Sequence, residues 1–188
     1  MAEVSPGVIS LVSAVLVLAA VIDGRKLRVP NWLTFPFIVG GLAYHAGAEG
    51  AWGFLASLSG AALGLVFLLV LHSVGGMGAG DVKLLAGVGA WMGPWATTCA
   101  FVATGLAGGV IALIMMIRSG NLAGHLAMTQ AIAHEILSIR SLERLSEVAK
   151  LASERKPKML LLPYGIPIAV GSIGYFAIGY FGWMGLSL

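Results

Sequence analysis

Charge is what this chain has least of. Only 10% of its 188 residues are Asp, Glu, Lys or Arg, about half the fraction that a soluble domain of this length carries. With 59% of residues hydrophobic and a mean hydropathy of +0.95, water is excluded as the main solvent. Cysteine is almost missing too. The single one, Cys99, sits in an apolar run, which excludes a disulfide framework and a cysteine-based zinc site. Basic residues are absent from the beginning: Glu3 is the only charge before Asp23, so the apolar run from Val8 to Ile22 lacks the leader of a secretory signal peptide. The positive charges Arg25, Lys26 and Arg28 follow that run, which reads as a retained first span with its N-terminus outside. There is no internal repeat and no low-complexity tract.

What the chain has in quantity is long apolar runs. A membrane-crossing helix takes about 20 apolar residues, and the pattern predicts six spans, at 6–22, 32–48, 52–73, 82–93, 95–117 and 159–183. The expected architecture is therefore all-α: a multi-pass transmembrane helical bundle forming one domain over 1–188, with a polar insert at 118–158. Joining 82–117 into one segment gives a five-span alternative, and loop charge decides between them. With six spans and an outside N-terminus, the loops at 23–31, 74–81 and 118–158 face the cytoplasm. Together with Lys83 they hold every lysine and arginine, while the outward segments hold only Glu3 and Glu49. Five spans would put Arg118 and the basic 140–158 stretch outside. The formal charge of +3 and pI near 9.2 thus reflect membrane topology, and no nucleic-acid partner is implied.

The fourth predicted span is too short for a full bilayer, so its start, from Gly78 to Asp81, is expected below the membrane surface. Irregular backbone at that depth has to be buried in protein or line a wet cavity. Small-residue spacings at Gly60–Gly64, Gly89–Gly93 and Gly105–Gly109 suit close helix packing in any bundle. In the insert, Met128 to Leu151 has helical periodicity, with Ile132, Ile136, Ile139, Leu142, Leu145 and Val148 along one side. Two uses stay open for it: an amphipathic helix on anionic lipid headgroups, or a cytoplasmic flap that docks a partner.

Few polar groups remain that would carry chemistry, and two stand out. Asp23 follows the first span, and Asp81 ends the run Gly75-Gly76-Met77-Gly78-Ala79-Gly80 and opens the fourth. Topology puts both at cytoplasmic helix ends at similar depth. Two carboxylates about 3 Å apart share a proton, because both cannot ionise comfortably. The ionised one then serves as general base on a water while the protonated one polarises a carbonyl, and the pair titrates as a unit. The glycines before Asp81 would let backbone approach an extended substrate strand. Plainer alternatives are an N-cap for Asp81 and simple loop solvation for Asp23.

Three segments resemble one family in its own order. Asp23-Gly-Arg-Lys-Leu-Arg-Val-Pro-Asn-Trp-Leu-Thr34 resembles the first signature of type IV prepilin peptidases, an aspartate followed by Pro-Asn-x-Leu-Thr. Gly78-Ala-Gly-Asp-Val-Lys-Leu-Leu-Ala-Gly87 resembles the second, GxGD followed by Lys-Leu. Leu162-Pro-Tyr-Gly-Ile-Pro167 resembles the Pro-Tyr-Gly segment that opens the family's last helix. The resemblance implies an aspartic endopeptidase whose catalytic pair is Asp23 and Asp81. Its substrate would be the leader of a prepilin or pseudopilin, cut at the cytoplasmic face of the bacterial inner membrane. Membrane lipid and the pilus-assembly machinery are the further partners implied, and no cofactor or metal is. Pro30, Asn31, Gly78, Gly80, Pro163, Tyr164 and Gly165 would shape the site, Asn31 by capping or bridging near the second span. Lys83 would either bias the ionisation of Asp81 or extend its ammonium to the interface. Larger bifunctional relatives carry paired cysteines in a domain that also methylates the new N-terminus. With only Cys99, this chain is expected to lack that activity and to resemble the compact peptidases that serve Tad (Flp) pili.

Rival chemistries fare worse. His134-Glu135 begins an HExxH pattern but the second histidine is missing. A serine protease would need Ser172 to meet His45 or His72, and nothing sets them at one depth. A small proton- or cation-coupled transporter subunit would use Asp23 and Asp81 as ion sites, but transport carboxylates usually lie near the bilayer midplane. A non-catalytic assembly factor would differ only in lacking activity.

Overall fold

The computed structural model describes residues 5–73, 77–118, 163–185 and Gln130. Apart from Arg118 and Gln130, the insert expected at 118–158 lies outside the described residues, as do the first residues of the sixth predicted span. Among the described residues the chain is all-helical: α1 (Pro6–Lys26), α2 (Asn31–Ser73), α3 (Ala79–Arg118) and α4 (Gly165–Gly185). Three helices, α1, the Asn31–Leu69 part of α2, and α3, are long and apolar enough to cross a membrane. The apolar Gly165–Gly179 stretch of α4 is shorter.

Helix α1 begins where Ser5 caps it, its Oγ accepting the Val8 N–H at 3.4 Å, with Pro6 at the first turn. Its buried face is Val8, Val12, Leu16, Ala19 and Asp23, at steps of four, four, three and four residues. That is one stripe of a helix, and Asp23 completes it. The helix runs on past the predicted end at residue 22. Leu27 stops it, taking a left-handed conformation (φ 50°) and donating its N–H to the Asp23 carbonyl at 2.7 Å. Asp23 is therefore part of a helical turn, and the expected loop at 23–31 shrinks to residues 27–30.

As straight rods, the 43 residues of α2 and 40 of α3 would be about 60–65 Å long, twice the hydrocarbon core. Neither is straight. Gly41 and Gly60 would stand about 28 Å apart in a continuous helix, yet both meet the same turn of α3. A Cβ on Gly41 would lie 2.9 Å from the Ala90 carbonyl oxygen, and one on Gly60 would fall on that of Gly89. So α2 doubles back, and it does so at Gly50 (φ 64°, ψ −144°). In α3 the break is Gly93 (φ 76°, ψ 176°), followed by Pro94. The carboxylate of Asp81 acts on Tyr164 while Gly108 packs on Pro167, a closeness that a straight α3, with about 40 Å between Asp81 and Gly108, would forbid. Only glycine enters these positive-φ regions without strain. Both breaks fall where the sequence divides its predicted spans.

The first limb of α3, residues 79–92, is the centre of the bundle: Val82, Leu84 to Val88, Ala90 and Trp91 are all buried. At about 21 Å it is the short helix that the sequence expected. Both limbs of α2 pack along it, α4 packs against α3, and α1 lies mainly against α4. The Gly60–Gly89 contact brings two backbones together with no side chain between them. A Cβ on Gly105 or Gly109, the third spacing, would meet no atom of another described element within 4 Å.

Candidate active site

Asp81 is held locally. Helix α3 opens at Ala79, so the cap is Gly78 and Asp81 is the third helical residue, a correction to its placement as the cap itself. The Gly78 N–H donates to Asp81 Oδ2 at 3.1 Å, and the Asp81 N–H donates to the Gly78 carbonyl at 3.2 Å. This is one half of a capping box, the third-residue carboxylate satisfying the otherwise unpaired N–H at the helix start, while a backbone carbonyl takes the place of the side chain that Gly78 lacks. Asp81 is 5% exposed, and among the described residues no donor reaches its Oδ1.

Asp23 is held from afar. It is 2% exposed, and its Oδ2 accepts the Gly165 N–H at 2.8 Å across 142 positions of sequence. Gly165 is the first residue of α4, so Asp23 satisfies a helix N-terminus that is not its own. A Cβ on Gly165 would stand 2.9 Å from the Asp23 Cβ and 3.0 Å from its Oδ2, so the backbone approaches the carboxylate as only glycine allows. The Pro163 carbonyl accepts from Ile166 at 3.1 Å and the Tyr164 carbonyl from Ile168 at 3.1 Å, which winds the first turn of α4 and aims the Gly165 N–H outward.

The two aspartates are within electrostatic reach of each other. They are near enough that the charge of Asp23 acts on Asp81, and that of Asp81 on Tyr164. Two like charges in one buried place repel strongly. Opposing this, the N-termini of α3 and α4 converge on the pair, each presenting about half a positive charge.

The remaining expected residues lie around this pair. Gly80 serves a different purpose from the expected one: a Cβ there would lie 2.5 Å from the Val29 carbonyl oxygen, so the strand that fills its space is the chain's own 27–30 connector. Gly78 is exposed, and a Cβ there would have only the Asp81 side chain and its own turn nearby, with Oδ2 at 3.2 Å. The Lys83 Nζ donates to Asn31 Oδ1 at 2.9 Å and lies 4.7 Å from the centroid of the Phe35 ring. It thereby ties Asn31, at the start of α2, to the beginning of α3. The Pro30 carbonyl opens α2 by accepting from Leu33 and Thr34 at 3.1 and 3.3 Å. Two contributors went unseen in the sequence: Val29, which is buried, and His72, whose Nδ1 lies 3.0 Å from the Met77 carbonyl oxygen.

The rival constellations do not assemble. Ser172 is buried, and among the described residues its Oγ has no partner, histidine included. His45 is engaged at the opposite end of α3's first limb, Nε2 lying 3.0 Å from the Trp91 carbonyl oxygen and Nδ1 3.7 Å from Glu49. His134 and Glu135 are outside the described residues.

Residues 10–113, a stretch containing both aspartates, match the type IV leader peptidase family. The chain belongs to that family. Over 115 residues it is 31% identical to a prepilin leader peptidase/N-methyltransferase of Burkholderia pseudomallei, a match taking in 55% of this chain and 35% of that protein. To the protein of the same description from Aeromonas hydrophila it is 38% identical over 94 residues, 44% of this chain and 31% of the relative. The leader peptidase HopD of Salmonella typhimurium is 33% identical over 109 residues, covering 54% of this chain and 70% of HopD. The alignment thus spans about a third of the bifunctional relatives and most of the shorter one. No solved structure matches the chain. Within that family match, the pair at the head of α3 and the end of α1 is the candidate site.

Proposed function

We propose that the protein is an aspartic endopeptidase that removes the leader of type IV, Flp-like prepilins at the cytoplasmic face of the bacterial inner membrane. One observation carries the reading: two buried carboxylates, from α1 and α3, lie within reach of each other's charge where two helix N-termini converge. In this mechanism the ionised carboxylate takes a proton from water as its oxygen bonds to the scissile carbonyl carbon. The protonated carboxylate gives its proton to the carbonyl oxygen. Collapse of the tetrahedral diol breaks the C–N bond, a proton passes to the departing amine, and the pair regains its starting state. Asp81 Oδ1, buried and without a donor among the described residues, is the oxygen left to bond water or substrate once the site admits them. Neither metal nor covalent intermediate takes part.

The topology in this proposal has six crossings and an outside N-terminus. Breaks at Gly50 and Gly93 support it, as does the confinement of lysine and arginine to the loops on the aspartates' side. The short first limb of α3 then sets Asp81 below the membrane surface, beside water that enters from the cytoplasm. The chain is read as one peptidase domain with its insert at 118–158 on the same side, acting with lipid and with the pilus-assembly machinery. The activity is confined to hydrolysis, without methylation of the new N-terminus.

The test is co-expression with candidate prepilins, following leader removal by mass. Asp23→Asn and Asp81→Asn should each abolish processing in protein that still inserts and folds. Near-normal cleavage by either variant would overturn the assignment.

A further inference from the structure

The GxGD turn is fixed from behind by a residue that belongs to none of the three signatures. His72 lies in the last turn of α2, half-buried, and its Nδ1 is 3.0 Å from the Met77 carbonyl oxygen. A carbonyl only accepts, so Nδ1 carries the hydrogen and donates it. The bond to Gly78 that begins at that carbonyl is a trans peptide, since the described chain has no cis bond. Its C=O and N–H therefore belong to one rigid plane and point opposite ways. The N–H of that plane is the donor to Asp81 Oδ2 at 3.1 Å. The side chain of Met77 is itself 3% exposed and packed in the core. One peptide unit is thus gripped on its oxygen by His72, anchored by a buried side chain, and presented through its nitrogen to Asp81.

We infer that His72 is a positioning residue for Asp81, acting through the 77–78 peptide plane. Its donation does two things. It fixes the plane's rotation, and with it the direction from which the Gly78 N–H meets the carboxylate. It also draws electron density onto the carbonyl oxygen, which makes the N–H of the same amide a stronger donor, as hydrogen bonds in chains polarise one another. His72 touches no reacting atom in this arrangement. The inference rests on the peptidase reading above, because positioning Asp81 matters for turnover only if Asp81 reacts.

The experiment compares His72→Asn, His72→Gln and His72→Leu in the full-length protein, with Asp81→Asn alongside, on a purified prepilin. An asparagine amide nitrogen falls near the position of Nδ1, whereas that of glutamine falls near Nε2, so two polar variants of similar folding competence are separated by geometry. The expected result is kcat close to wild type for His72→Asn and about ten-fold lower for His72→Gln and His72→Leu, with KM changed less than about two-fold. Hydrogen exchange of the amides at 78–81 should quicken in the Leu and Gln variants and stay slow in the Asn variant. Equal activity in the Asn and Gln variants, whether both normal or both impaired, would overturn the inference, as would a loss expressed mainly in KM. An active Asp81→Asn variant would instead remove the peptidase reading, and the exchange pattern would still report whether His72 holds the turn.

Discussion

The two aspartates do the same kind of thing by opposite routes. Asp81 caps the helix it belongs to, through a bond closing three residues away, whereas Asp23 caps a helix that begins 142 residues later. Local capping makes Asp81 a property of its own turn. Remote capping makes Asp23 a property of the assembled bundle, since its carboxylate is satisfied only when α1 lies against α4. The pair therefore forms only in a folded molecule, and each half depends on a helix N-terminus for the positive partial charge that offsets like-charge repulsion.

The largest expected effect comes from removing one charge. Asp81→Asn keeps the acceptor for Gly78 and the volume of the side chain, so cleavage should disappear while the fold persists. At a pH high enough for the pair to lose its shared proton it also removes one of two buried like charges, so its thermal unfolding midpoint in detergent should there be above that of wild type, a trade of stability for activity common at functional sites. A fall in midpoint would mean that the two carboxylates do not repel in the folded state. Asp23→Ala breaks the symmetry. It leaves the buried Gly165 N–H unpaired, which costs about 1–3 kcal/mol, so the midpoint should drop below that of Asp81→Ala. There, the lost cap is local, costs about 1 kcal/mol, and exposes an N–H that water reaches through the exposed Gly78.

Next in size are the glycines that let backbone meet carboxylate. Gly165→Ala would drive a methyl to 2.9 Å from the Asp23 Cβ, so Asp23 must move by a sizeable fraction of an ångström. Misplacement on the scale of 1 Å costs about 100-fold in rate, and that is the expected loss in cleavage, measured on folded protein. Gly78→Ala meets only the Asp81 carboxylate closely, Oδ2 at 3.2 Å and from the solvent side, and its loss should be the smaller. The reverse order would show that the local cap, rather than the α1–α4 junction, is the tighter constraint on the pair.

The same contrast explains which features the amino-acid sequence made legible. Local features were readable: the break near residue 50, because Glu49 and the length of the apolar run divide it there, the break near residue 93, because loop charge requires it, and the helix start at the GxGD turn. The inward position of Asp23 was not: it completes the buried stripe Val8, Val12, Leu16 and Ala19, but Leu11, Val17, Leu18 and Val21 make the other faces just as apolar. Remote features were not. A helix that is apolar on every side carries no stripe to fix its rotation in lipid, so nothing in α1 or α4 says that Gly165 will face Asp23. The three signatures named the residues through resemblance, without their geometry. Gly80 shows the limit of such reading: its small size is explained by Val29, a residue from the neighbouring connector with no motif of its own. His72 shows another, since its partner is a backbone carbonyl and carbonyls leave no mark on sequence.

The smallest effect concerns Lys83, for which the sequence allows two roles. It stands two residues from Asp81, yet its Nζ goes to Asn31 Oδ1 and the Phe35 ring, and the charge acting on Asp81 is that of Asp23. The bond is exposed, so its coupling should be about 0.5–1 kcal/mol. Lys83→Met and Asn31→Ala should therefore be non-additive in unfolding by about that amount, as groups that share one bond are. The pH profile of cleavage should keep its shape in Lys83→Met, because the ammonium is committed to the α2–α3 junction. A shifted profile with additive stabilities would reverse the assignment and make Lys83 an electrostatic partner of the pair. Asn31 distinguishes the cases further: if the lysine acts as a tie, Asn31→Ala should reproduce its effect on cleavage, and if it acts as a charge, Asn31→Ala should not.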